Sequence, residues 1–350
     1  MKIKMKNLFI FITVLCIIIV LSYFFLNKKD NPIKKDNNNT YSSKSIKQIE
    51  KLKIKDKIDI NSYSKTLDVA IFSSNFNKNY ITYYENIKYV EHENLISYIN
   101  ILAKQGLAIN EINDILTNYL SYNNFDINNA TRYTAYKYKN SNLNKQDIVT
   151  RVNLNLDKDF YTDTKRIEDQ SNMYALVNKY NYVDINYVPD NLKPLFNNTS
   201  IKMVNVAADA YEEFVKAAKN DGITFVGTTA YRSGAFQKQL YDSYVAKDGV
   251  QKADTYSARP GYSEHQLGYS VDLNDPNYKE KRISPSDYEW IKNNSYKYGF
   301  IIRFPEGKEN ITGYQHENWH LRFVGKDIAS KIHEKNITFD EYYDLYLKER

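Results

Sequence analysis

Five histidines occur in the 350-residue chain, and four of them (His265, His316, His320 and His333) fall in its last third. Asp272 follows His265 at a seven-residue offset, and Glu317 precedes His320 by three. A metal-assisted hydrolytic centre needs three protein ligands, an open position for water and a nearby carboxylate as base. His265, Asp272 and His320 have the donor types for the ligands, and Glu317 for the base. Spacing alone leaves this open, because a His-x6-Asp pair recurs by chance and Asp272 would equally suit a strand end. The single cysteine, Cys16, excludes an intramolecular disulfide and every multi-cysteine zinc module. Any metal site must therefore draw on His, Asp and Glu.

The same region contains a competing pattern. His316-Glu317-Asn318-Trp319-His320 is a literal H-E-x-x-H, which on a helix would bring both histidines to one metal ion. The segment lies between Gly313 and Gly325 and contains Trp319, Phe323 and Val324, which favour a strand. His316 is therefore expected outside the ligand set. A regular strand would place Glu317 and His320 on opposite faces, since their offset is odd. A shared site requires a bend or bulge between them. His92, alone among acids, is expected at the surface or a helix end, and His333 on a surface helix.

The elements that must position these groups are legible in outline. Ala207, Tyr211, Phe214, Val215 and Ala218 give a helical face that stops at Gly222. Phe236, Leu240, Tyr241 and Tyr244 give another, and Tyr288, Trp290, Ile291, Tyr296 and Tyr298 a third, ending at Gly299. Residues 223–230, 267–273, 300–304 and 319–324 read as strands. Helices and strands mix without a βαβ repeat, so the expected class is α+β with a mainly antiparallel sheet and flanking helices. Gly268 leaves room for substrate or a packed neighbour, or is a plain strand glycine. Earlier in the chain, 95–102 and 112–120 read as helices, and the alternation of 147–156 as a strand.

Hydrophobic residues at 42% and charged residues at 26% are ordinary for a globular protein of about two domains. A net charge of +6, with no basic run interleaved with aromatics, gives no nucleic-acid surface. It is compatible with an anionic cell wall. Leu8 to Leu26 form a 19-residue run without a charge, close to the roughly 20 that span a bilayer. The run ends in Tyr23-Phe24-Phe25-Leu26 without the small residues of a cleavage site, so an uncleaved transmembrane helix is expected. Leu15 stands where a lipoprotein would carry a small residue before Cys16. Lysines on both sides of the run leave orientation to the chemistry. The expected organisation is a cytoplasmic tip and anchor to residue 28, a flexible linker over 29–45, a small helical accessory domain over 46–170 and a chemical domain over 171–350.

Three ordered motifs are more specific than any spacing. They are Tyr231-Arg232-Ser233 with Gln237, the run from Ala258 through Ser263-Glu264-His265 to Gly268 with Val271-Asp272, and Glu317-Asn318-Trp319-His320-Leu321-Arg322. Together they resemble the VanY-type D-alanyl-D-alanine carboxypeptidase family, zinc peptidases that trim peptidoglycan stems. The resemblance covers about Leu176 to Gly325 and includes a similar lead-in over 176–189. It implies a hedgehog/DD-peptidase-like fold, with His265, Asp272 and His320 binding Zn2+ and Glu317 catalytic. It further implies that Arg232 steadies the scissile carbonyl and the developing oxyanion, while Gln237, Ser263, Ser233 and Trp319 serve the peptide site. Ala230 replaces a common glycine and His316 a common tyrosine. The implied function is removal of the terminal D-Ala from stem peptides. L,D-cleavage of tetrapeptide stems, or a silent wall-binding module on the same fold, are the alternatives. The expected partners are the stem peptide and a membrane, with the catalytic domain on the cell-wall side. No nucleic acid and no obligate protein partner are expected.

Overall fold

The computed structural model describes residues 40–196, 198–278 and 282–348. The expected membrane span, Leu8 to Leu26, lies outside the described residues. Among those described, no helix is long and apolar enough to cross a membrane. The chain divides into two compact units, Met1–Asn113 and Asp114–Arg350. This boundary falls well before residue 170.

The described part of the first unit is helical, with helices at Ser43–Leu52, Lys65–Ala70, Ile81–Asn86 and Leu95–Lys104. Ser42 caps the first helix by accepting from the Ser45 amide at 3.1 Å, so regular structure begins inside the expected linker. Ile49, Leu67, Tyr84, Ile99 and Leu102 are buried. His92 sits just before the Leu95–Lys104 helix, its Nδ1 accepting from the Asn94 amide at 3.1 Å.

The second unit is α+β. Its main sheet comprises β1 (Val226–Thr229), β2 (Ser270–Asn274), β3 (Phe300–Ile302) and β4 (His320–Phe323), in the order β1-β2-β4-β3. Every neighbouring pair is antiparallel. Flanking helices are α1 (Asn205–Asn220), α2 (Gly234–Asp248), α3 (Pro285–Asn294), α4 (Lys326–Lys335) and the short α5 (Phe339–Tyr342). Helix α1 buries Ala207, Ala208, Tyr211, Phe214, Val215 and Ala218, the spacing of one helical face. Phe214 packs against Phe225, Trp290, Tyr298 and Phe300 at ring separations of 5.6 to 6.0 Å. Each such ring removed from water contributes about 1.5–3 kcal/mol, which makes this the anchor of the sheet.

Residues 145–153 form a helix where the alternation predicts a strand. The Asn144 side chain accepts from the Asp147 amide at 2.8 Å and starts the helix. Ile148, Val149 and Val152 are buried at helical spacing. The alternating pattern continues into Leu154 because the turn after the helix also delivers that residue to a core. A short apolar run of this kind fits both periods, and the cap decides between them.

Candidate metal and catalytic centre

The register of β2 against β4 places Asp272 directly opposite His320. Side chains paired across neighbouring strands lie on one face of the sheet, within reach of one another. Asp272 Oδ1 lies 3.1 Å from His320 Nδ1. His265 arrives from a 3-10 turn, Glu264–Leu267, immediately before β2. Its Nε2 lies 3.4 Å from the same Asp272 oxygen, and the two imidazoles meet edge-on at 4.7 Å. The turn ends at Gly268 with φ +75°, in the left-handed region. A Cβ there would meet Val204, Leu192 and Pro189 at 3.1 to 3.2 Å. Gly268 thus serves a packed neighbour at the end of a turn, and does not stand in the strand.

One ligand atom from each of His265, Asp272 and His320 lies within 4.8 Å of the others, and all three residues are buried. The outer nitrogens of both rings are occupied. His265 Nδ1 donates to the Ala230 carbonyl at 2.8 Å, which leaves the lone pair on Nε2. His320 Nε2 faces Glu264 Oε1 at 2.8 Å, an acceptor that turns Nδ1 inward. Burial opposes charge on His320, but the hydrogen bonds to Asp272 and Glu264 outweigh it and raise its pKa to about 9. Asp272 Oδ1 is placed to accept a proton from the inward nitrogen of a charged imidazole. Metal ligation displaces such a proton. Two imidazoles, each held from behind, and a carboxylate form a donor set suited to zinc.

Glu317 closes the cluster, with Oε2 3.7 Å from His320 Nδ1. Residues 313–319 are irregular, with bends at Asn318 and Trp319, and β4 begins at His320. The required bend is present, and the H-E-x-x-H segment is not helical. His316 faces away, its Nδ1 donating to the Phe304 carbonyl at 2.9 Å and its ring against Tyr288. His333 is exposed on α4, stacked on Tyr296 at 3.8 Å. Burial pushes the Glu317 carboxyl up to about 7, against the pull of His320. A cation in the site acts in the opposite direction.

A cavity of about 180 Å³ opens on the cluster, lined by Arg232, Ser263, Arg282, Tyr314, Glu317 and Trp319 among others. Pockets for drug-sized ligands run to roughly 300–1,000 Å³, so this one suits the end of a chain more than its middle. Arg232 Nη2 lies 3.7 Å from Asp272, and its Nη1 donates to Gln237 Oε1 at 2.7 Å. Its Nε is buried without a hydrogen-bond partner among the described residues. Two sequence expectations shift here. Gln237 is 2% exposed and donates to the Ala258 carbonyl at 2.7 Å, so it holds Arg232 from behind and is not part of the cavity lining. Ser233 is the N-cap of α2, its Oγ accepting from the Phe236 amide at 3.2 Å, and it too is absent from the lining. Trp319 is a wall, with the Arg282 guanidinium 5.0 Å from its ring centre.

Sequence reasoning gave no role to Glu264, Arg282 or Arg303. Glu264 stands inside a quoted motif, but besides Ser270 its partners Arg303 and His320 come from 39 and 56 positions away. No local spacing announces that.

A buried three-donor cluster with an adjacent carboxylate and an arginine, at the two inner strands of a small antiparallel sheet, defines the class of metal-dependent hydrolases. Residues 200–326 match the family described as VanY: D-alanyl-D-alanine carboxypeptidase. The chain is 35% identical over 235 residues to YodJ of Bacillus subtilis, a carboxypeptidase by name, covering 62% of this chain and 85% of that one. It is 32% identical over 185 residues to a D-alanyl-D-alanine carboxypeptidase of Enterococcus faecalis, covering 50% and 67%. Among solved structures, the LdcB LD-carboxypeptidase matches at 35% identity and a TM-score of 0.48, over 53% of this chain and 94% of that one. The chain belongs to the VanY-type D-alanyl-D-alanine carboxypeptidase family, and it is a hydrolase of the carboxypeptidase class.

Proposed function

We propose that this protein is a zinc D,D-carboxypeptidase that removes the terminal D-Ala from peptidoglycan stem peptides. The observation that carries this reading is the convergence of His265, Asp272 and His320 within 4.8 Å, beside Glu317 and in a cavity also lined by Arg232. Zinc, when bound by these three residues, supplies a Lewis acid that brings the pKa of a water from 15.7 to about 7. Glu317 is placed to take the proton of the attacking water and return it to the leaving amine. Arg232, permanently charged and gripped by Gln237, offers its buried Nε and the remaining guanidinium protons to the scissile carbonyl as negative charge develops on oxygen. Trp319 and Tyr314 wall the cavity and limit bulk water.

Digestion of purified muropeptides, read by mass spectrometry with and without chelator, tests the reading. Loss of one D-Ala from pentapeptide stems, abolished by chelation, is the expected result. Loss of D-Ala from tetrapeptide stems alone would replace the D,D assignment with an L,D one. No metal-dependent product from either would leave a wall-binding module.

The uncharged run from Leu8 to Leu26 supports a membrane anchor with the catalytic unit on the cell-wall side, where the substrate is. Protease added to intact spheroplasts should remove the catalytic unit; full protection would reverse the orientation.

A further inference from the structure

Behind the donor cluster, a chain of ionic contacts runs through the buried interior. His320 Nε2 donates to Glu264 Oε1 at 2.8 Å. Arg303 Nε donates to Glu264 Oε2 at 2.8 Å, and Arg303 Nη1 donates to Asp340 Oδ2 at 2.6 Å. Asp340, in α5, itself accepts from the Asn178 side-chain Nδ2 at 3.1 Å. Arg322 Nη1 lies 3.7 Å from Glu264. Arg303, Asp340, Glu264, His320 and Arg322 are between 0% and 4% exposed. Two carboxylates and two guanidiniums thus balance one another away from water, where an uncompensated charge is expensive. The last member lies beyond residue 326, where the family match ends.

We propose that Asp340 is a positioning residue for the metal centre, acting through Arg303 and Glu264 to hold His320 with its Nδ1 toward the ion. The proposal rests on the zinc reading of the site. A histidine ligand is oriented by the acceptor on its outer nitrogen, and Glu264 is that acceptor. Glu264 Oε1 meets the imidazole and accepts from Ser270 Oγ at 2.9 Å, while its other oxygen is held by Arg303, so the set of the carboxylate depends on both sides. Arg303 in turn is divided between two carboxylates. With Asp340 neutral, the guanidinium turns its whole charge on Glu264, and the carboxylate is drawn off the imidazole. The ring then loses the partner that selects its inward nitrogen.

Asp344 supplies the control. It lies four residues on and is also buried, and its partners include Asn124 at 2.8 Å and Asn153 at 3.3 Å, neither of which touches the metal cluster. The full-length chain, purified in detergent, is titrated with zinc against a chromophoric chelator. The absorption bands of the cobalt(II) form and the melting temperature of the metal-free form are recorded for each variant. Loss of an outer partner typically weakens metal affinity by about 10–100-fold. Glu264→Gln should fall in that range, and Asp340→Asn about tenfold, with altered cobalt bands. Asp340→Glu should restore most of both. Asp344→Asn should lower the metal-free melting temperature while zinc affinity stays within about twofold. Unchanged zinc affinity and cobalt bands in Asp340→Asn would overturn the proposal, as would equal losses in Asp340→Asn and Asp344→Asn. If Asp340→Asn does not fold, Arg303→Lys, which breaks the link between Asp340 and Glu264, takes its place, and unchanged zinc affinity and cobalt bands in it would have the same force. A wild-type chain that bound no zinc would overturn the reading of the site itself, and this inference with it.

Discussion

The donor cluster has a wall and a mouth, and each contains one buried glutamate. Glu264 in the wall and Glu317 in the mouth both touch His320, and both are nearly inaccessible to water. Burial pushes both carboxyls up. At Glu264 the charges of Arg303 and Arg322 more than reverse this, and the group is held well below the usual carboxylate range. Glu317 has His320 and the more distant Arg282 for compensation, and it stays raised, at about 7. The same side chain is thereby held as an anion in one place and pushed toward its neutral form in the other. What separates them is the supply of guanidinium groups, which makes the wall a scaffold and leaves chemistry to the mouth.

The largest test of this division concerns the ligands between the two. His265→Ala, Asp272→Ala or His320→Ala should each lose zinc through dialysis, because two donors do not make a structural grip on the ion. His316→Ala should retain it, since His316 is spent on the Phe304 carbonyl. Metal analysis of the four proteins checks this. Equal loss in His316→Ala and His320→Ala would return the H-E-x-x-H pattern to consideration.

Next in size is Glu317→Gln. The amide is nearly isosteric and cannot take the water's proton, so turnover of a peptide ending in D-Ala should fall by about 10²–10⁴-fold with zinc retained. Retained turnover would remove Glu317 as the base. Loss of zinc in this variant would mean that the mouth residue is a ligand, and the contrast with Glu264 would have to be redrawn.

Arg232→Lys is expected to cost about 10²–10³ in kcat, the range for removal of one oxyanion donor, with zinc content and melting temperature unchanged. A lysine keeps the charge but cannot grip Gln237 and substrate with one planar fork. A change in KM alone would make Arg232 a binding group without a part in the transition state.

The smallest expected effect extends the comparison to a buried base that lacks a carboxylate contact of its own. Lys179 is 1% exposed, sits 3.9 Å from the Tyr314 ring centre and donates to the Asp254 carbonyl. Burial lowers its pKa to about 8, despite the nearby Asp254 charge. The unfolded chain therefore binds the extra proton between about pH 8 and 10.4, and folded stability must rise with pH across that window. Relative to Lys179→Met, the wild type should gain about 1–2 kcal/mol between pH 8 and 10 in denaturant unfolding. A flat difference would show that the aromatic surroundings carry the charge without penalty.

Much of this protein follows from the linear order of its residues. The apolar periods of α1 and α3, the strands β1 to β4, and the decoy status of His316 all follow from local pattern, because helix and strand periods act over a few neighbours. The candidate ligand set was readable because its residues sit in two dense motifs. Even the bend before His320 follows from parity, since an odd offset cannot put two strand residues on one face. Only the tertiary structure decided the rest. It delivered the buried face of 145–153 to a core, and made Gln237 a brace for Arg232. It also assembled Glu264, Arg303, Asp340 and Arg322 into one balanced group from positions as much as 76 apart. Buried charges choose partners by distance in space and by the cost of remaining uncompensated, and neither quantity is written into local spacing.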